Sequence, residues 1–130
     1  MRALVDCALG VAVLDLDEEE VLELREGSLP LPAVATPLPR VVAADRHGSR
    51  IVAVVERRPP LVVSDDAGTT WRETGGGLPA GRAVAISPAH PDRVLFASAS
   101  RVYLSRDGGR FWQGLAPELP GISALAWEDG

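Results

Sequence analysis

The chain has 130 residues, the length of one ordinary domain that buries roughly two-thirds of its unfolded surface, so a single core is expected. Its formal net charge of −5 argues against general nucleic-acid binding, which depends on neutralising phosphates, and no basic stripe offsets it. Apolar residues make up 46% of the composition, but no uninterrupted run reaches the roughly 20 residues a membrane span needs, and a lone cysteine excludes an intrachain disulfide or a Cys-x-x-Cys metal pair.

From the N-terminus, Met1 to Cys7 pairs one arginine with apolar residues, but Asp6 breaks the run, so a secretory signal is not expected and a cytoplasmic location is. Cys7 reads as a buried, inert thiol. No stretch keeps a helical period over about a dozen residues, and short β-rich runs alternate with turn signals throughout. Strands are predicted at Ala3 to Cys7, Val11 to Leu14 and Val21 to Leu24. A long Pro-rich connector follows, from Gly27 to Pro39. Then come Val41 to Ala44, Ile51 to Val55, Leu61 to Val63 and Trp71 to Glu73. Gly75-Gly76-Gly77 opens no helix and lacks a following Lys-Ser or Lys-Thr, so it reads as a turn rather than a phosphate loop. The remaining strands are Ala83 to Ile86, Val94 to Ala97, Val102 to Leu104, Trp112 to Leu115 and Ile122 to Trp127.

The octet Ser64-Asp65-Asp66-Ala67-Gly68-Thr69-Thr70-Trp71 recurs 41 residues later as Ser105-Arg106-Asp107-Gly108-Gly109-Arg110-Phe111-Trp112. A repeat of about 40 to 45 residues is the length of one four-stranded propeller blade. The octet resembles the Asp-box, S-x-D-x-G-x-T-W, of the BNR repeats found in sialidase-like β-propellers. The first copy carries Ser64, Asp66, Gly68, Thr70 and Trp71; the second keeps Ser105, Asp107, Gly109 and Trp112 but has Phe111 in place of the threonine. Asp15-x-Asp17-x-Glu19 stands as a degenerate third copy, with Asp17 under Asp66 and Asp107. The resemblance implies that these residues are structural clasps between the third and fourth strands of each blade, on the face away from any ligand. It implies an all-β fold of about three four-stranded antiparallel blades in one domain. Residues 41–74 and 83–116 each form a blade, while residues 1–26 and 122–127 supply parts of a shared one.

Three blades are fewer than the four to eight that usually surround a propeller channel. Either two chains complete six blades as a homodimer, Ile122 to Trp127 of one pairing with Ala3 to Cys7 of the other, or the chain is part of a longer propeller.

Candidate chemistry is sparse. His47 and His90 fall in equivalent hairpins of separate blades, which would hold them apart, so no metal site is expected; no cofactor is implied. A sialidase needs an arginine triad, a tyrosine nucleophile with its glutamate, and an aspartate. Tyr103 is the sole tyrosine and sits inside a strand run, where packing is the expected role. The face opposite the clasps carries Glu56, Arg57, Arg58, Arg82 and Arg101, guanidinium groups suited to carboxylates or phosphates. The expected function is therefore a noncatalytic module binding a protein or carbohydrate ligand there. The alternative is a glycoside-hydrolase-like site formed only in an oligomer or a longer protein, with Glu56 as its carboxylate.

Overall fold

Alternating apolar runs and turns become twelve strands in the computed structural model, which describes residues 1–32 and 34–128. They are β1 (Arg2–Cys7), β2 (Gly10–Asp15), β3 (Glu20–Arg25), β4 (Val41–His47), β5 (Arg50–Val55), β6 (Leu61–Ser64), β7 (Arg72–Thr74), β8 (Ala83–Ile86), β9 (Val94–Ala97), β10 (Arg101–Ser105), β11 (Gln113–Glu118) and β12 (Ala124–Trp127). No helix occurs among the described residues, and none is long and apolar enough to cross a membrane. All pairings are antiparallel, in three four-stranded sheets ordered β12-β1-β2-β3, β4-β5-β6-β7 and β8-β9-β10-β11. We call these the terminal, first repeat and second repeat sheets.

The second repeat sheet lies between the other two. One of its faces sets Val84, Ile86, Val94 and Phe96 against Val52, Val54, Leu61 and Val63 of the first repeat sheet. Its other face sets Ala85, Leu95, Val102 and Leu104 against Val5, Ala12, Leu14 and Leu125 of the terminal sheet. Burial on both faces explains why β5, β6, β8 and β9 are continuous apolar runs rather than alternating ones. At Gly81 the close approach of the sheets leaves no room for a side chain: a Cβ there would lie 2.4 Å from the Phe96 ring and 2.6 Å from Val54. By contrast β3, the outermost strand of the terminal sheet, is exposed along its length.

Among the described residues, no strand of the terminal sheet contacts the first repeat sheet. The Pro-rich connector spans that interval. Leu29 N donates to Asp6 Oδ2 at 2.9 Å on one side, and Val34 and Leu38 pack against Ala44, Ala53, Val55 and Val62 on the other. Ala33, within the connector, lies outside the described residues. The accessible surface of 6527 Å² is close to the roughly 6,600 Å² expected of a folded monomer of 13.7 kDa.

Within the single chain described, β12 closes onto β1, with Ala3 opposite Trp127 and Asp6 opposite Ala124. The turn before β12 delivers it: Ala8 N donates to Pro120 O at 2.8 Å, Ile122 N to Ala99 O at 2.9 Å and Ser123 N to Asp6 O at 2.9 Å. Trp127 Nε1 then donates to Ala85 O at 3.1 Å, fastening β12 to the neighbouring sheet. A chain that returns to its own first strand covers that edge without a partner.

Candidate functional site

At one end of the sheets stand the two octet turns. Ser64 Oγ donates to Asp66 Oδ1 at 2.8 Å and accepts from Gly68 N at 2.8 Å; Asp66 Oδ1 accepts from Thr70 N at 2.8 Å and Oδ2 from Thr70 Oγ1 at 2.6 Å. Led by the Thr70 hydroxyl and amide, these donors hold the Asp66 carboxyl down to about 2. In the second turn Asp107 Oδ1 accepts from Ser105 Oγ at 2.8 Å, Arg110 N at 3.1 Å and Phe111 N at 3.0 Å, and its carboxyl is also lowered, chiefly by the Phe111 amide. Gly68 and Gly109 have φ of 94° and 91°, the left-handed backbone that favours glycine. Trp71 and Trp112 each return an indole N–H to that glycine's carbonyl, at 3.1 and 3.0 Å. Phe111, lacking a hydroxyl, leaves the second aspartate without the bond that Thr70 supplies.

The degenerate turn differs from expectation. Asp15, not Asp17, accepts the turn amides, from Asp17 N at 2.9 Å and Glu18 N at 3.0 Å, while Asp17 meets the N-terminal ammonium at 2.9 Å. A carboxylate at the serine position takes the amide two residues on, as the Ser64 hydroxyl does in the first octet, and adds the amide three residues on in place of the one four residues on.

His47 and His90 both line one open cleft of about 800 Å³ at the octet end, between the two repeat sheets. Arg50 closes its base, donating to Asp65 at 2.8 Å, Asp92 at 3.0 Å and the Pro91 carbonyl at 2.7 Å. The sheets pack side by side, so equivalent hairpins adjoin. No group of three metal-ligating side chains occurs there or elsewhere among the described residues.

The opposite end gathers four of the five predicted ligand-binding residues. Glu56, Arg57 and Arg58 on the β5–β6 loop and Arg82 at the entry to β8 line a hollow of about 440 Å³ whose floor includes Val42, Val55 and Leu78. Among the described residues, no carboxylate lies within 4.0 Å of these three guanidinium groups. Arg101 is placed elsewhere: it turns along its own sheet to Glu118 at 2.6 Å and to the carbonyls of Leu115 and Ala116 at 2.6 and 3.1 Å. Sequence reasoning missed Val42 and Leu78. Val42 sits in a Val-Val-Ala-Ala run that signals only a strand, and Leu78 follows a glycine turn that hides its contact.

The remaining catalytic candidates are absorbed by structure. Tyr103 packs against Phe96, ring centroids 5.8 Å apart, between the repeat sheets. Ser64 and Ser105 are buried within their turns. Cys7 is buried and its Sγ faces the Gly10 carbonyl at 3.4 Å. Compared with known proteins, the chain matches no family model and no curated protein.

Proposed function

We propose that the chain is a noncatalytic binding module of the Asp-box propeller type, presenting an arginine-rimmed end to an acidic protein or glycan ligand. The observation that carries this reading is the convergence of Arg57, Arg58 and Arg82 on one hollow without ion-pair partners among the described residues. Desolvating a guanidinium is worthwhile where a carboxylate or phosphate meets it in a planar fork, and these three are free to do so. The octet end supports the reading from the other side, since its aspartates spend their acceptors on the turn itself. The proposed location is cytoplasmic. Association of copies enters as strand exchange, because the β12–β1 register that closes the terminal sheet within one chain is the register two chains would make by swapping β12.

One observation favours a second reading, a hydrolase-like site: Glu56 shares the hollow with the arginines. Glycoside hydrolysis calls for two carboxyl groups roughly 5 to 9 Å apart, so a second acid would come from another chain or from a longer protein. Calorimetric titration with a hexaglutamate peptide and with N-acetylneuraminic acid separates the readings when run beside a fluorogenic sialoside assay. The expected result is saturable binding of at least one acid, weakened about tenfold by the double variant Arg57→Ala, Arg58→Ala at unchanged melting temperature, with no turnover. Indifference to that double variant, or hydrolysis abolished by Glu56→Gln, contradicts the proposal.

A further inference from the structure

The arginine-rimmed hollow does not stand alone. A second hollow of about 210 Å³ shares Val55, Glu56 and Arg57 with it and adds Leu38 and Arg40. A third, of about 140 Å³, shares Val42 and Arg82 and runs on to Leu31 over the inner strands β4, β8 and β12. The three hollows adjoin through these shared residues at the end opposite the octet turns, and together they are called the groove.

Two features of that groove restrict what it suits. Its cations outnumber its acids among the described residues: Arg40, Arg57, Arg58 and Arg82 share the lining with Glu56 alone, in a chain whose net charge is −5. Its floor is apolar, and it holds two of the large hydrophobic side chains left uncovered, Leu31 at 70% and Val42 at 41% exposure. A hydrophilic sugar acid would use the first feature and leave the second unsatisfied. An extended peptide uses both, because successive side chains point to opposite sides at about 3.3 Å per residue. Acidic side chains on one side reach the arginines, and apolar ones on the other enter the floor.

We infer that this groove binds an extended peptide in which acidic and apolar residues alternate. The inference rests on the binding-module reading and names its ligand class. Contact with such a peptide removes Val42 and Leu31 from water and supplies carboxylates to guanidinium groups that have none among the described residues. The affinity therefore depends on both apolar and acidic positions of the ligand, and the charge component weakens with added salt.

The test uses fluorescence anisotropy with three labelled probes of equal length: Glu-Leu-Glu-Val-Glu-Leu-Glu, Glu-Ser-Glu-Ser-Glu-Ser-Glu, and an all-glutamate heptamer. The Leu/Val peptide is expected to bind about tenfold tighter than the Ser peptide, a difference of about 1.4 kcal/mol. Val42→Asp, Leu31→Ser and Arg82→Ala are each expected to weaken it about fivefold or more. Leu31→Ser lies on the exposed connector, so it reads the groove even if the strand variant Val42→Asp folds poorly. Equal affinities for the Leu/Val and Ser peptides, or indifference to both Leu31→Ser and Val42→Asp, overturn the inference. If the acid-only probes or N-acetylneuraminic acid bind with dependence on Arg57 and Arg58 while apolar positions add nothing, the binding module stands and the peptide groove falls. If no acidic probe binds, both fall.

Discussion

Asp66 illustrates how much a single residue type determines in this chain. Its carboxylate accepts three hydrogen bonds from a turn of its own backbone and side chains, and they hold its protonation down to about 2. An aspartate in an unfolded chain titrates near 3.9. A folded-state value below the unfolded one contributes stability above about pH 4, which is lost as pH falls towards 2. Asp107, Asp15 and Asp65 are lowered as well and add in the same direction. Asp45 opposes them: burial raises its carboxyl even though Ile86 N donates to it at 2.7 Å. Thermal unfolding from pH 7 to pH 2 should therefore show Asp66→Asn less stable than wild type at neutral pH and less sensitive to acid, the gap between the two curves narrowing from about pH 4 down to about pH 2. Parallel curves would contradict that assignment. The octet was legible in sequence because serine, aspartate and glycine act on near neighbours, where spacing alone dictates contact. The use of Asp15 rather than Asp17 as turn acceptor was not, since both carboxylates stand in the same short turn and spacing does not say which will face its amides.

Among the elements, β12 separates what sequence periodicity conveys from what it does not. All twelve predicted strands form, because apolar runs and turn residues are local signals. The approach of β12 to β1 follows the path of residues 119–123, and that path depends on backbone bonds to Ser100, Ala99 and Asp6 that no periodicity encodes. Removing the chain after Gly121 would uncover the edge of β1, expose Val5 and Ala3, and lose the Trp127 anchor to β8. The truncated protein should unfold or aggregate, because an unpaired edge recruits other strands. Sedimentation velocity of the intact chain at micromolar concentration should give a monomer near 13.7 kDa, with any dimer appearing only after unfolding and refolding at high concentration. A truncated chain that stays monomeric and melts like wild type would contradict this role for β12. The connector shows a similar limit: its prolines announced an extended segment, but not that Val34 and Leu38 would cover the free face of the first repeat sheet.

At the scale of the whole molecule, the two ends of the sheets have opposite chemistry. One end directs its polar groups inward: octet aspartates to turn amides, and Arg50 to Asp65 and Asp92. The other leaves three arginines and a stretch of apolar floor facing outward. The loop arginines were visible in sequence, but their convergence was not, because Arg82 lies 24 residues beyond Arg58 and meets it only when the two repeat sheets pack. The central claim, that function resides at the arginine end, is tested most directly by mapping amide chemical shifts as the Glu-Leu-Glu-Val-Glu-Leu-Glu peptide is titrated into isotopically labelled protein. The account predicts saturable shifts confined to residues 31–42, 55–60 and 78–83, with the octet turns at 64–71 and 105–112 unmoved. Shifts concentrated at the octet end, or none at millimolar peptide, would contradict it.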